Sequence, residues 1–214
     1  MLYESSIQKA NLIMNLRSMG ISSNNVLSAI EKIPREIFLP SAFQSYAYEN
    51  NPLPIGFEQT ISQPYIVALM TQMLSLNGNE VILEIGTGSG YQTSILSLLS
   101  RRVYSIERIK PLLVNAQSCF KKLKLTNIIS EFGDGFLGWP KLAPFDHMII
   151  TCAVEEIDDR LLNQIRVNGS CVVPIGKTKK QQRLTKITIG KYRHDDVWED
   201  LGKVSFVPLI SENY

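Results

Sequence analysis

Hydrophobic residues recur at helical spacing through the first third of the chain. Three helical faces are predicted, over residues 12–19, 26–33 and 66–73. Gly20 ends the first face and Pro34 stops the second. The intervening stretch, residues 40–63, is rich in proline and glycine and predicts an irregular loop. Loops of that length are uncommon in a compact domain and are usually functional, so this stretch is a candidate for binding.

After residue 80 short apolar runs alternate with helical patterns. The predicted strands lie at 81–85, 103–107, 127–132, 146–151 and 170–175, and the predicted helices at about 91–100 and 110–123. This alternation predicts a mainly parallel α/β sheet. Two later β-like runs, 183–189 and 203–210, have little helix between them and predict an antiparallel edge.

A glycine-rich turn follows the first of these strands and opens a helix. It reads Glu84-Ile85-Gly86-Thr87-Gly88-Ser89-Gly90. Glycines allow a sharp turn and a close approach of a ligand to the helix N-terminus. A dinucleotide fingerprint needs its third glycine one residue later, where Tyr91 stands, so a dehydrogenase is disfavoured. The turn instead resembles the first motif of S-adenosylmethionine-dependent methyltransferases, which implies a Rossmann-like methyltransferase sheet; the alternative is a purely structural turn.

Acidic residues also follow the next two predicted strands. Glu107 comes 21 residues after Gly86, where a carboxylate can accept hydrogen bonds from ribose hydroxyls. Asp134 could reach an adenine amine, with Gly135 leaving room for the ring, or could belong to an ordinary Asp-Gly turn. The candidate cofactor-binding residues so far are Glu84, Gly86, Thr87, Gly88, Ser89, Gly90, Glu107, Asp134 and Gly135.

Composition narrows the class of protein only a little. The 214 residues carry 22 Lys and Arg against 20 Asp and Glu, a net charge of +2 that gives no case for nucleic acid or a membrane surface. The three cysteines are far apart and form no zinc pattern, so no metal site is expected. No run is long enough for a membrane span and no signal-peptide pattern is present, so a cytoplasmic protein is expected.

A resemblance to the protein-L-isoaspartate O-methyltransferase family extends in order over nearly the whole chain. The segments that carry it include 34–40, 47–49, 52–56, 59–65, 133–135, 143–146, 172–176 and 206–209. The stretch Thr60-Ile61-Ser62-Gln63-Pro64 is specific to this family among methyltransferases. The resemblance implies one domain over 1–214, with a helical N-terminal extension and substrate loop at 1–78 and a cofactor-binding core at 79–214.

The resemblance implies transfer of the methyl group of S-adenosylmethionine to the α-carboxylate of L-isoaspartyl residues in damaged peptides and proteins. Ser62 is implied to hold that carboxylate, although a serine just before Pro64 also fits a helix N-cap. Thr60, Ile61 and Gln63 are expected in the same cleft. Thr151, at the end of its strand, is expected to face the substrate or to be an ordinary strand residue. Gln182 matches a family glutamine near the cofactor, with Gln181 as the alternative alignment.

Two further functions remain open from the sequence. One alternative is a methyltransferase that acts on nucleic acid or on a small molecule. Methylation of nucleic-acid bases is disfavoured, because Thr151-Cys152-Ala153 follows the fourth strand instead of an Asn/Asp-Pro-Pro-Tyr motif. A binding protein for S-adenosylmethionine without turnover is the other alternative. The remaining expectations are a monomer, peptide partners and no nucleic-acid or membrane partner.

Overall fold

The computed structural model describes residues 2–210, with side chains from residue 6 onward. The strands are β1 (Leu53–Gly56), β2 (Gln59–Ile61), β3 (Val81–Ile85), β4 (Arg102–Glu107), β5 (Ile128–Phe132), β6 (Phe145–Ile150), β7 (Ile165–Ile175), β8 (Arg183–Thr188) and β9 (Val197–Lys203). The helices are α1 (Leu2–Ser18), α2 (Asn24–Lys32), α3 (Pro64–Met73), α4 (Tyr91–Ser97), α5 (Lys110–Lys122) and α6 (Asp159–Leu162). Strands β1 and β2 form a hairpin, and the other seven form one sheet.

The seven-stranded sheet runs in the order β5-β4-β3-β6-β7-β8-β9. Strands β3 to β7 pair in parallel, whereas β8 and β9 add an antiparallel edge. The predicted Rossmann-like sheet with an antiparallel edge is therefore confirmed. The strand order reverses between β3 and β6, and open α/β sheets bind ligands at the carboxyl ends of strands beside such a reversal.

The central strands are apolar on both faces because both faces of the sheet are covered. In β3 the alternating residues Leu83 and Ile85 belong to one hydrophobic cluster, while Ile82 belongs to another. The first cluster includes residues of α6, and the second includes Met70 of α3 and Leu96 of α4. This burial on two sides explains why the sequence shows continuous apolar runs there instead of alternation.

The N-terminal helices pack on α3 and α4. Their apolar faces enter one cluster that also contains Tyr91 and Ile95, which belong to α4. The Ser23 hydroxyl accepts a hydrogen bond from the Val26 amide and caps α2, which ends just before Pro34. The extension and the core thus share hydrophobic contacts, and the division of the chain at residues 78 and 79 stays a prediction.

The stretch at 40–63 is more regular than expected. It holds a 3₁₀ turn, Ser41–Tyr46, and the hairpin of β1 and β2, in which Leu53 pairs with Ile61. The hairpin turns through Gly56, Phe57 and Glu58, all with positive φ. The prolines in this stretch are the reason why the sequence does not predict the hairpin, because proline usually argues against a strand.

The predicted strand at 203–210 is wrong. The last strand is β9, and residues 204–210, here called the C-terminal segment, leave the sheet edge and pass back to Ala153. The sequence misleads because β9 is an exposed edge strand with polar residues, whereas the C-terminal segment is apolar since it packs over the sheet.

No helix among residues 2–210 combines the length and apolar character that crossing a bilayer requires.

Candidate active site

The glycine turn after β3 is held by its neighbours on both sides. The amides of Gly86 and Thr87 donate to the Ile106 carbonyl of β4, at 2.9 and 3.2 Å. The Thr151 hydroxyl, at the end of β6, donates to the Gly86 carbonyl at 2.6 Å. Gly86 has φ 94°, and a Cβ there would lie 2.5 Å from the Thr151 Oγ1. Only glycine fits this position, because both the backbone conformation and the space exclude a side chain.

Glu107 closes the other side of the turn. Its side chain is buried at the end of β4, where Oε2 accepts a hydrogen bond from the Gly88 amide at 2.6 Å and Oε1 accepts one from the Ile109 amide at 2.8 Å. Burial raises the pKa of this carboxyl, and the backbone amides oppose that shift by stabilising the charged form. The acid therefore stands fixed beside the glycine turn.

Glu84 lies on the opposite face of β3 from Ile85, inside the protein. Its Oε2 accepts hydrogen bonds from the hydroxyls of Thr93, at 2.5 Å, and Ser105, at 2.6 Å. Because the Ser105 hydrogen is used on Glu84, the Thr87 hydroxyl donates to Ser105 Oγ, 2.6 Å away. Glu84 Oε1 has no hydrogen-bond partner within the described residues. Burial raises the pKa of Glu84 from its ordinary 4.5 to about 8.

A cavity of about 790 Å³, partly continuous with solvent, opens above the glycine turn. It is called here the first cavity. The parts of the chain that form its wall include the glycine turn with the start of α4, the chain after β4, the hairpin, the C-terminal segment, and the residues that follow β5 and β6. Among the predicted site residues, its wall contains Thr60, Ile61, Ser62, Gly86, Thr87, Gly88, Ser89, Glu107, Gly135 and Thr151.

A second cavity, of about 890 Å³ including open solvent, adjoins the first. The two share Thr60, Ser62, Thr151 and Val207, so these four residues form the junction between them. Gln63 and Lys203 line the second cavity but not the first. A ligand in each cavity would therefore meet the other at this junction.

The Ser62 hydroxyl is available at the junction. Among the described residues it makes no hydrogen bond, and it does not cap α3, since Gln63 occupies the cap position. Asn50 Oδ1 instead accepts from the Tyr65 amide, 2.9 Å away, in the first turn of that helix. The N-cap interpretation of Ser62 is therefore wrong, because the chain turns one residue later than the sequence suggests.

Four predicted cofactor-binding residues lie outside the wall of the first cavity: Glu84, Gly90, Asp134 and Gln182. Glu84 acts from below the turn through Ser105 and Thr87. Asp134 Oδ1 accepts from the Phe136 amide at 2.9 Å, which orders the turn that places Gly135 in the wall. Direct contact of these residues with a cofactor stays a prediction, and the structure gives each one a supporting position.

Gln182 supports the wall formed by the C-terminal segment. Its side chain is buried, with Oε1 accepting from the Phe206 amide at 2.5 Å and Nε2 donating to the Phe206 carbonyl at 3.1 Å. Gln181 is exposed, so Gln182 is the structurally engaged residue of the pair. Its amide is already used by Phe206 and holds the chain that leads to Val207.

The sequence reasoning missed several residues of the wall. They include Gln59, Tyr91, Gln92, Arg108, Ile109, Leu112, Cys152, Val207, Pro208, Leu209 and Ile210. Ile109 and Leu112 could have been found, because they open the helix directly after Glu107. The C-terminal segment is an apolar run in the sequence, and such a run predicts a strand.

No three His, Cys, Asp or Glu side chains within residues 6–210 come together in a group that could hold a metal ion.

The first cavity has the features of a nucleoside pocket: a glycine turn, a buried acid at the tip of the adjacent strand and an apolar wall. Together with the sheet order, these features define the class of Rossmann-like, S-adenosylmethionine-dependent methyltransferases.

Comparison with known proteins identifies the family within that class. The model of the protein-L-isoaspartate(D-aspartate) O-methyltransferase family matches residues 7–214, and the chain belongs to this family. A protein-L-isoaspartate O-methyltransferase of Dictyoglomus turgidum is 49% identical over 205 residues, covering 96% of this chain and 92% of its own. One from Aliivibrio salmonicida is 50% identical over 196 residues, with 92% of each chain covered.

One solved structure supports this assignment, and a second supports the fold. A protein-L-isoaspartate O-methyltransferase structure superposes with a TM-score of 0.84 at 28% identity, over 94% of this chain and 65% of the other. A Plasmodium falciparum structure, described with the same activity and in complex with S-adenosyl-L-homocysteine, gives 0.81 at 24% identity, over 94% and 97%. The second likeness bears on the fold alone.

Gly90 is expected to be essential for packing, not for ligand contact. It has φ 87°, and a Cβ there would lie 2.7 Å from the Phe120 ring and 2.9 Å from the Ala116 Cβ. Gly90→Ala should lower the free energy of unfolding by about 1–3 kcal/mol, the usual cost of overpacking, with additional backbone strain. Denaturant unfolding measures this. Gly202→Ala, at φ 109° with no atom within 4 Å, is the matched control and should cost less; equal losses would contradict the packing role.

Glu84 is expected to make stability fall as pH rises. Its pKa is 4.5 ordinarily and about 8 when folded, so unfolding releases a proton between these values and higher pH favours the unfolded chain. The stability gained from the raised pKa is complete below about 4.5 and lost by about 8. The free energy of unfolding of the wild type, measured relative to that of Glu84→Gln, should fall from pH 5 to pH 6.5 and again from pH 6.5 to pH 8. A constant difference between the two curves would refute the raised pKa.

Proposed function

We propose that this chain transfers the methyl group of S-adenosylmethionine to the α-carboxylate of L-isoaspartyl residues in damaged proteins and peptides. The observation that carries the proposal is the junction of the two cavities, where Ser62 presents an unengaged hydroxyl beside the glycine turn. Membership of the family and the names of the relatives from Dictyoglomus and Aliivibrio support the same activity.

The first cavity fits the cofactor. Glu107 provides a fixed carboxylate for ribose hydroxyls, and Gly88 leaves the backbone of the turn open to the ligand. Gly135 lines the same wall, and a side chain does not fit there, since a Cβ would lie 2.4 Å from Ile85 Cγ2. When bound, S-adenosylmethionine supplies an electrophilic methyl group on a positively charged sulfur.

The acceptor needs little chemical help from the protein. An α-carboxyl group has a pKa of roughly 3.3–3.7, so it is ionised at neutral pH and requires no general base. The two histidines agree with this, since neither lines the first or the second cavity: His147 shares a hydrogen bond with Ser170 Oγ at 2.9 Å, and His194 is exposed. The protein's contribution is to align the acceptor and exclude water.

Ser62 and Thr151 have different roles in this alignment. The Ser62 hydroxyl is free to donate to an acceptor oxygen, whereas the Thr151 hydrogen is committed to the Gly86 carbonyl. Thr151 therefore holds the glycine turn in place and contacts the acceptor only through its methyl group and lone pairs. Thr60, Ile61 and Gln63 complete the wall on the hairpin side.

We further propose that the protein works as a monomer in the cytoplasm, without nucleic-acid partners. The three cysteines Cys119, Cys152 and Cys171 are buried and unpaired, which fits a reducing compartment. The net charge of +2 provides no general attraction to a polyanion.

Labelled methyl transfer tests the activity directly. The protein is incubated with methyl-labelled S-adenosylmethionine and a pair of peptides that differ only in an isoaspartyl or aspartyl linkage. Base-labile label on the isoaspartyl peptide alone is expected, because only that linkage exposes an α-carboxylate at the side-chain branch. Label on neither peptide would favour a binding protein, and label on added RNA or DNA would favour the rival substrate class.

Ser62→Ala should reduce kcat/KM for the isoaspartyl peptide at least tenfold, which corresponds to about 1.4 kcal/mol of lost transition-state binding. The fold should still melt cooperatively, because the hydroxyl has no structural bond among the described residues. Ser118→Ala, an exposed serine of α5, is the control and should keep wild-type kinetics. An unchanged kcat/KM in Ser62→Ala would remove this residue from the site.

A further inference from the structure

Arg35 is a fully buried cation. It lies in a short 3₁₀ turn after α2, at 0% exposure, and forms no ion pair with a carboxylate of the described residues. Within the same residues its Nε has no hydrogen-bond partner. Burial lowers the pKa of the guanidinium from 12.5 to about 10, so it stays charged at neutral pH. An isolated buried charge is costly, and its presence calls for a functional reason.

The guanidinium joins the two ends of the hairpin. Its Nη1 donates to the Ser62 carbonyl at 2.9 Å, and its Nη2 donates to the Asn51 carbonyl at 3.3 Å. Asn51 lies just before β1, and Ser62 lies just after β2. One planar group therefore holds both chains at the base of the hairpin, which a point charge such as an ammonium cannot do in the same geometry.

The hairpin in turn covers the first cavity. Residues 59–62 line its wall, and the Ile55 side chain lies 3.7 Å from the place of a Cβ on Gly88. The guanidinium also stacks over the ring of Tyr91, at 5.1 Å from its centre, and that ring lines the same cavity. The position of Ser62 relative to the glycine turn thus depends on the contacts of Arg35.

We propose that Arg35 is a positioning residue for the methyl acceptor: it fixes the peptide that carries Ser62 and places an uncompensated positive charge behind the junction of the cavities. The inference rests on the proposed function, because the acceptor there is an anion. A charge in a poorly solvated site acts on an anion more strongly than a charge in water. The positive charge therefore favours entry of a carboxylate over a neutral group.

Two variants test the role. Arg35→Met keeps most of the side-chain volume but loses the charge and the hydrogen bonds. Arg35→Lys keeps the charge but loses the planar guanidinium that donates to both carbonyls. We expect kcat/KM for the isoaspartyl peptide to fall at least tenfold in Arg35→Met, mainly through KM, and to recover partly in Arg35→Lys. The Kd for S-adenosyl-L-homocysteine, measured by calorimetry, should stay within threefold, because Arg35 makes its hydrogen bonds to Asn51 and Ser62 and none to the glycine turn or Glu107, which the proposed function assigns to the cofactor.

A control separates positioning from general loss of stability. Ile30→Ala opens a cavity in the hydrophobic cluster that also contains Tyr91, while it keeps both hydrogen bonds of Arg35 to the hairpin ends, and it should lower Tm while leaving the peptide KM unchanged. If Arg35→Met does not fold, Arg35→Lys alone decides, and a raised peptide KM with unchanged Kd supports the proposal.

An unchanged peptide KM in the folded variants would overturn the proposal. So would an equal loss of affinity for S-adenosyl-L-homocysteine and of kcat/KM for the peptide. A third contrary result would be a peptide KM in Ile30→Ala that rises as much as in the Arg35 variants. Wild-type turnover of the isoaspartyl peptide separates these outcomes from failure of the proposed function. If the wild type does not methylate that peptide, the function itself is wrong.

Discussion

The site depends on how closely the turn after β3 approaches the end of β6. The Thr151 hydroxyl donates to the Gly86 carbonyl, and no side chain fits between them. This contact brings together two strands that lie far apart in the sequence, at the point where the sheet order reverses. Gly86 and Thr151 both line the first cavity, and Thr151 lies with Ser62 at its junction with the second.

Two buried ionisable groups that do not line the first cavity support this arrangement. Glu84 holds the turn from beneath through Ser105 and Thr87, and Arg35 holds the hairpin from behind. Among the described residues, each retains one unpaired atom, and each has a pKa displaced by burial. For Arg35 the cost is an isolated buried charge, whereas for Glu84, which a pKa of about 8 leaves mostly protonated at neutral pH, the cost is an unpaired buried polar atom. Both fit the pattern in which a protein accepts a local cost to preorganise a site.

Much of the fold and part of the site could be predicted from sequence because local patterns carry them. Apolar runs, the glycine turn and Glu107 follow from chain spacing alone, and the structure places Glu107 beside that turn as expected. The glycine motif predicts Glu84 as a cofactor residue, and the family resemblance predicts Gln182; direct contact of either residue with the cofactor stays a prediction. What the structure adds is tertiary: Glu84 lies on the opposite face of β3 from Ile85, and the Gln182 amide binds Phe206, 24 residues away in sequence, which no local pattern reveals.

The sequence by itself determined the class of sheet, the glycine turn, the acid at the next strand tip and the family, since these depend on residue type and short-range spacing. Tertiary structure alone decided which residues meet at the junction, the path of the C-terminal segment and the contacts of Arg35. These are contacts between distant parts of the chain, and their geometry depends on how layers pack around the sheet. Packing of that kind is a property of the whole fold, so no single stretch of sequence encodes it.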